Sequence, residues 1–68
     1  MTDFKISLAA ARVNAGLTQK QLAFACEVSE ATIISWEAGK TMPNAGVWDR
    51  LEAALGMSLN HIRFIRKD

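Results

Sequence analysis

Apolar residues recur along the chain at the 3.6-residue spacing of amphipathic helices, and no stretch shows the alternation of a β-strand. Gly16, Gly39 and Gly56 each follow such a stretch, where a residue that tolerates positive φ commonly ends a helix. No linker, repeat or low-complexity segment interrupts the pattern. The pattern therefore predicts one all-α domain of five short helices that occupies residues 1–68.

Small polar residues stand where each helix is predicted to begin, because their side chains accept hydrogen bonds from the first free backbone N–H groups. The predicted N-caps are Thr2 or Asp3, Thr18, Ser29, Asn44 and Ser58, and the first four helices end near Ala15, Cys26, Ala38 and Leu55. The first helix covers about residues 3–15, and Thr18 with Gln21 forms the pattern of a capping box before the second. The fifth helix carries Leu59, Ile62 and Ile65.

Length and composition exclude several classes of protein. Sixty-eight residues leave room for one small core, and an apolar share of 50% is too high for a disordered chain. No apolar run approaches the roughly 20 residues that a membrane span needs. The single cysteine permits no internal disulfide and the opening residues lack the apolar region of a signal peptide, so we expect a cytoplasmic protein. The net charge of +1 does not decide whether the partner is a polyanion.

Catalytic and metal chemistry are not indicated by the sequence. The chain has one cysteine, Cys26, and one histidine, His61, and neither belongs to a cluster with metal-ligand or nucleophile–base spacing. We expect Cys26 to be a packed thiol and His61 to be exposed. Trp36 and Trp48 are predicted to lie in the core. No enzymatic activity and no cofactor are expected.

Residues 19–38 match the steric requirements of two short helices joined by a tight turn, the helix-turn-helix. Counting from Gln19, the fifth position is Ala23. A small residue is required there because the second helix of the motif crosses close over the first helix of the motif. The apolar residues expected to face inward are Leu22, Cys26, Val28, Ile33 and Trp36. In such a motif the second helix can lie in the major groove of DNA.

Sequence motifs at several helix junctions match a known family. From Arg12 the chain reads Arg-x-x-x-Gly-Leu-Thr-Gln-x-x-Leu-Ala, followed by Val-Ser-x-x-Thr-Ile, Trp-Glu-x-Gly-Lys, Pro and Ala-Leu-Gly-x-Ser-Leu. Over about residues 8–62 this series resembles the Cro and cI-repressor type of helix-turn-helix domain. The resemblance implies a double-stranded DNA partner, with the third helix as the recognition helix.

The resemblance also implies which residues touch DNA. Base contacts fall on Ser29, Glu30, Ala31 and Ser35, and phosphate contacts fall on Gln19, Lys20, Lys40 and Asn44. Gln19 is expected to be free for a phosphate because Thr18 and Gln21 complete the capping box, with simple capping as the alternative. For the two lysines the alternative is plain solvation. Glu30 either accepts a hydrogen bond from a cytosine amino group or is solvated or self-paired.

Three further positions have a structural interpretation. The resemblance implies a buried ion pair between Arg12 and Glu37 that ties the first helix to the third, with an Arg12–phosphate contact as the alternative. Glu27 stands in the turn where the family most often has glycine in a left-handed conformation. A non-glycine residue there costs about 1–2 kcal/mol.

Two groups of apolar residues are candidates for association. The fifth helix is apolar on more than one side, so we expect a homodimer that forms through Leu59, Ile62, Phe64 and Ile65. The alternative is that Phe64 and Ile65 fold back over the first helix. Phe24 and Ile34 lie on faces that the family keeps polar, and both are expected to be exposed.

Taken together, the motif and the resemblance imply a transcriptional regulator. We expect a repressor that binds a palindromic operator as a homodimer and occludes polymerase. The alternative is a helix-turn-helix used as a protein-interaction module, such as an antitoxin or adaptor, with Phe24 and Ile34 as its contact surface. The low net charge and the acidic Glu30 favour this alternative.

Overall fold

The computed structural model describes residues 5–64 and contains four α-helices within that range. In chain order its elements are β1 (Ile6–Ser7), α1 (Leu8–Asn14), α2 (Gln19–Cys26), α3 (Glu30–Ala38), α4 (Ala45–Leu55), a 3-10 turn (Leu59–His61) and β2 (Ile62–Arg63). The second, third and fourth predicted helices are confirmed. A predominantly helical helix-turn-helix fold is therefore correct, although the count of five helices is not.

Hydrogen bonds from side chains define where α2, α3 and α4 begin. The Thr18 hydroxyl accepts from the Gln21 backbone N–H at 3.0 Å, and the Gln21 side-chain oxygen accepts from the Thr18 N–H at 2.9 Å. Ser29 and Asn44 cap α3 and α4 through their own side-chain oxygens. These bonds satisfy backbone donors that the helix itself leaves unpaired, which explains why the predicted starts are correct.

A single apolar core lies where the four helices meet. Its buried members are Leu8, Ala11, Leu22, Ala23, Cys26, Ile33, Trp36, Val47, Leu51, Leu55 and Ile62. Leu22, Ile33 and Leu51 have no exposed surface, and Trp36 is buried as predicted. Each helix contributes residues three or four positions apart, the spacing that aligns side chains on one face.

The first helix begins later than predicted. It begins at Leu8, and Ser7 is its N-cap, with the hydroxyl accepting from the Ala10 N–H at 3.0 Å. The described residues before Leu8 are extended and form β1. The predicted caps Thr2 and Asp3 lie outside the described residues.

The predicted fifth helix is wrong. Ser58 does cap a turn, but that turn is a single 3-10 turn, after which the chain becomes extended at Ile62. Strand β2 pairs in parallel with β1, so that Ile62 stands opposite Ile6 and Ser7 opposite Arg63. Two-residue strands are too short to show alternation in the sequence, and their pairing depends on a partner more than 50 positions away.

Trp48 is a second correction, because 48% of its surface is exposed although it was predicted to lie in the core. The buried residues of α4 are Val47, Leu51 and Leu55, which follow one another at four-residue spacing. Trp48 is rotated about 100° from Val47 around the helix and therefore lies beside the buried face. Its indole N–H donates to the Pro43 carbonyl at 3.2 Å.

Two findings bear on the wider class of the protein. No helix within residues 5–64 has the length and apolar character needed to cross a membrane. In the same range, His, Cys, Asp and Glu side chains form no group of three or more that could hold a metal ion.

Candidate nucleic-acid interface

The turn between α2 and α3 has the left-handed backbone expected at its first residue. Glu27 has φ 61° and ψ 40°, and it is the only non-glycine residue with positive φ in the described range. Its N–H donates to the Phe24 carbonyl at 3.2 Å, and the Val28 N–H donates to the Ala23 carbonyl at 3.0 Å. These bonds end α2 in the manner of a glycine-terminated helix, although the side chain is that of glutamate.

The two helices of the motif pack through small and aliphatic side chains. Ala23 is 4% exposed and lies in the core with Ile33, while Val28 in the turn packs against the same core. A small residue at position 23 allows close packing of the two helices, as the sequence predicts. The contact fixes α3 relative to α2 and leaves the opposite side of α3 toward solvent.

Cys26 closes the inner side of α2 as a packed thiol. It has no exposed surface, and burial raises the pKa of the thiol, an effect that the positive charge of Arg50 partly opposes. The Arg50 side chain also donates to the Cys26 carbonyl at 3.1 Å, which joins α4 to the end of α2. A buried thiol with a raised pKa is a poor nucleophile, so its role is packing.

An ion pair joins α1 to α3 as expected. Arg12 Nε lies 2.6 Å from Glu37 Oε2, and the two side chains are only 15% and 9% exposed. Arg12 also donates to the Leu17 carbonyl at 2.9 Å, which ties it to the loop before α2. The guanidinium is therefore committed to structure on two sides, which favours the ion pair over the alternative phosphate contact of Arg12.

The side chain of Gln19 is also part of this network. Its amide nitrogen donates to Glu37 Oε1 at 3.0 Å, so the expectation that the side chain is free is wrong. The capping box leaves Gln19 unused, as predicted, but the nearby carboxylate on α3 takes up one of its two N–H donors. A phosphate contact by Gln19 stays a prediction that rests on the second donor.

The outer face of α3 combines acidic and apolar groups. The exposed residues are Glu30, Ala31 and Ile34, and Ser35 is half-buried. Ile33 and Trp36, which are three positions apart, point into the core. Successive residues of a helix are about 100° apart, so positions 31, 34 and 35 lie opposite the buried pair. The four predicted base-contacting residues therefore lie on the accessible part of α3 or at its N-terminus.

The two predicted hydroxyl contacts are already hydrogen-bonded within the chain. Ser29 Oγ accepts from the Thr32 N–H at 3.2 Å and shares a 2.9 Å hydrogen bond with the Thr32 hydroxyl. Ser35 Oγ accepts from the Thr41 hydroxyl at 2.9 Å.

The predicted base contacts did not include Ile34, although its position four residues after Glu30 places both on one helix face.

The cationic residues near the motif are accessible. Lys20 is the second residue of α2 and Lys40 follows the end of α3, and both are exposed. Within residues 5–64 no carboxylate lies at ion-pair distance from either lysine. Asn44 is exposed as well, but its side-chain oxygen accepts from the Gly46 N–H at 3.0 Å. The phosphate roles of these residues remain predictions.

The surface predicted for dimerisation is largely used within the monomer. Ile62 is 4% exposed and belongs to the core, which makes it unavailable to a second copy, so its assignment to the interface is wrong. Leu59 and Phe64 are half-buried and pack against the same core. Ile65 lies outside the described residues. His61, expected to be exposed, is half-buried in the 3-10 turn.

Phe24 and Ile34 are exposed as expected, at 86% and 48% of their surfaces. They lie on different helices, Phe24 on the outer side of α2 and Ile34 on that of α3. Phe24 borders a shallow cavity of about 480 Å³ that is also lined by Thr18, Lys20 and Gln21.

Comparison with known proteins yields one family and several relatives. The sequence profile of the family described as helix-turn-helix matches residues 8–62, from the first residue of α1 to Ile62 in β2. Multiprotein-bridging factor 1a of Arabidopsis thaliana is 38% identical over 58 residues, which cover 85% of this chain and 41% of that protein. Endothelial differentiation-related factor 1 homolog of Danio rerio is 42% identical over 48 residues, covering 71% of this chain and 33% of that protein. The chain thus spans well under half the length of these relatives.

Proposed function

The chain belongs to the Cro and cI-repressor type of helix-turn-helix family, and on that premise we propose that it binds double-stranded DNA with sequence preference through α3 in the major groove. The observation that carries the proposal is that the outer face of α3 is accessible while contacts on its inner side hold the helix in place. Its inner face is packed in the core, and Glu37 holds it to Arg12 and Gln19.

In this proposal, contacts to phosphates position the domain and contacts to bases select the sequence. The phosphate contacts are Gln19, Lys20, Lys40 and Asn44, and the base contacts are Ser29, Glu30, Ala31 and Ser35. The two lysines are exposed and unneutralised within the described part of the chain, which supports their role. The Ser35 hydroxyl keeps one lone pair and its own hydrogen for a base while it accepts from Thr41. The Ser29 hydroxyl keeps either a lone pair or its hydrogen, according to which hydroxyl of the Ser29–Thr32 pair donates.

The regulator acts as a homodimer on a palindromic operator, and as a repressor it occludes polymerase. Two half-sites about 34–36 Å apart place two copies of α3 on one face of the DNA. A short recognition helix and a net charge of only +1 supply limited affinity from one copy, which supports the use of two. The interface in this proposal does not include Ile62, because that residue is buried in the monomer.

A second candidate function is a protein-interaction module. The observation that favours it is Phe24, an aromatic side chain that is 86% exposed on a helix of the motif. The name of the Arabidopsis thaliana relative, multiprotein-bridging factor 1a, describes a protein that connects other proteins. Under this alternative, Phe24 contacts a partner and α3 need not enter a groove.

Selection from a pool of randomised duplexes, followed by titration of the winners at several salt concentrations, separates the two candidates. A DNA-binding regulator enriches an inverted repeat, and its affinity falls steeply as salt rises because phosphate contacts release counterions. A protein-interaction module enriches no sequence. Any weak binding that it shows is then equal for all duplexes.

A further inference from the structure

Ile34 gives the outer face of α3 an apolar centre. Its side chain is 48% exposed and follows the exposed Ala31 by three positions, so the two lie on adjacent turns of one face. Scattered apolar residues are common on protein surfaces. Ile34 differs because it is in the middle of the helix that, in the proposed function, faces the base edges.

The polar groups on this face offer little competing chemistry. The Ser29 and Ser35 hydroxyls are engaged with Thr32 and Thr41. Glu30 carries a carboxylate, which at neutral pH only accepts hydrogen bonds. Besides the remaining hydrogen-bonding capacity of these two hydroxyls, α3 presents methyl groups from Ala31 and Ile34 and the carboxylate oxygens of Glu30.

We propose that Ile34, together with Ala31, binds the C5 methyl group of a pyrimidine in the major groove and thereby determines sequence preference. The inference rests on the proposed DNA-binding function and adds a residue and a ligand group to it. In the major groove, the thymine methyl is the apolar feature that distinguishes one natural base from the others. Apolar side chains contact it without any hydrogen bond, which suits a residue with no polar atom.

Two bases carry this methyl group, thymine and 5-methylcytosine. Glu30 lies one helical turn before Ile34, and a glutamate in the groove accepts from the cytosine N4 amino group. A base that offers both the amino group and the methyl group is 5-methylcytosine, whereas thymine offers the methyl group beside an acceptor oxygen. The shared chemistry is the C5 methyl, and the two sources are separable in one experiment.

The experiment uses the duplex that the intact chain selects from a randomised pool. In one series each thymine is replaced in turn by deoxyuridine, which lacks only the methyl group, and in the other each cytosine is replaced by 5-methyldeoxycytidine. Affinities are measured for the wild-type chain, for Ile34→Ala and for Val13→Ala. Val13 is the matched control, since it is an exposed β-branched residue on α1 (63% exposed) that has no role in the proposed interface.

If thymine is the ligand, deoxyuridine at one or two positions of a half-site weakens wild-type and Val13→Ala binding about fourfold, the effect of one buried methyl group. If 5-methylcytosine is the ligand, the methylated cytosine strengthens binding by a similar factor. In either case Ile34→Ala responds less than the wild type does, because only the Ala31 part of the contact is left. Alanine is a strong helix former and position 34 is half-exposed, so this variant keeps the fold.

Three results overturn the inference. The first is a wild-type chain that selects a sequence but responds to neither replacement, and the second is an Ile34→Ala variant that responds as the wild type does. Both leave the proposed DNA-binding function standing. The third is a wild-type chain that selects no sequence at all, which overturns the proposed function and the inference together.

Discussion

Arg12 and Glu37 are 25 positions apart in the chain and form an ion pair with an Nε–Oε2 distance of 2.6 Å. Gln19 donates to the other oxygen of the same carboxylate at 3.0 Å. One carboxylate near the end of α3 therefore holds side chains from α1 and α2. Three helices share this contact, and it sets how α3 is oriented relative to the rest of the domain.

Removal of this carboxylate is expected to destabilise the domain. Glu37→Ala leaves the Arg12 guanidinium, 15% exposed, without its counter-charge and Gln19 without its acceptor. Breaking one partner of a buried pair costs about 3–5 kcal/mol, and the residual exposure places the expected loss near the lower end. Urea unfolding measures it, with Glu30→Ala on the exposed face of the same helix as the control. Equal losses in the two variants would contradict the structural role of Glu37.

The turn between α2 and α3 offers a stabilising substitution. Glycine at position 27 removes the cost of about 1–2 kcal/mol that a side chain adds to the left-handed backbone conformation. It also makes the unfolded chain more flexible, which lowers the free energy of unfolding by about 0.5–1 kcal/mol. Glu27→Gly is therefore expected to raise the free energy of unfolding by about 0.5–1 kcal/mol. Glu27→Ala is the matched control, since it removes the charge and keeps the positive φ of 61°. A gain in the alanine variant as large as that in the glycine variant would assign the effect to charge.

Cys26 makes the stability of the domain sensitive to alkaline pH. Burial raises the pKa of its thiol above the ordinary value of 9.0, so the folded state binds this proton more tightly than the unfolded state. The resulting stabilisation is complete below the unfolded pKa and is lost as pH rises through the folded pKa. The difference in unfolding free energy between wild type and Cys26→Ala is expected to shrink above pH 9. A difference that stays constant through this range would contradict the shift.

Ile62 is expected to contribute to folding and not to association. Ile62→Ala removes a side chain that is 4% exposed, and comparable core truncations cost about 2–5 kcal/mol. Sedimentation of the folded variant is expected to match that of the wild type at equal concentration. Phe24→Ala is the control for stability, because its ring is 86% exposed and its loss should change the unfolding free energy by less than about 0.5 kcal/mol. If Ile62→Ala, but not Phe24→Ala, sedimented more like a monomer than the wild type and kept its free energy of unfolding, Ile62 would belong to a dimer interface.

Lys40 is expected to contact phosphate without selecting a sequence. Lys40→Ala should weaken binding to all duplexes by a similar factor and lower the slope of log affinity against log salt by about 1. Lys5→Ala is the matched control, since it removes the same charge from an exposed position before β1. If both variants lose the same slope, the effect is one of net charge and not of a contact at Lys40.

Local signals predicted α2, α3 and α4 well. Capping by Thr18, Ser29 and Asn44 and termination at Gly39 and Gly56 depend on neighbours within a few residues. The segments around Ile6 and Ile62 were predicted poorly because these residues adopt extended backbone through pairing with each other. A parallel pair of two-residue strands leaves no periodic pattern in either segment.

The candidate interface was predicted only in part, because some of its contacts depend on residues that are distant in the sequence. The family pattern marks Arg12 and Glu37, and their ion pair is present. The partner of Gln19 could not be read from local sequence, because the Glu37 carboxylate approaches it only after α2 and α3 have packed. Val47 and Trp48 are consecutive residues of α4 and therefore lie about 100° apart around the helix. The apolar pattern of the sequence includes both, so it did not show that only Val47 faces the core.

The most direct test of DNA recognition by α3 is a titration of the isotope-labelled chain with a selected duplex, followed through backbone amide chemical shifts. We expect the largest changes in residues 29–35 and at Gln19, with little change at Phe24 or in residues 59–64. Changes centred on Phe24 would contradict this expectation and favour a protein-interaction surface. The absence of any change at saturating duplex would contradict DNA binding itself.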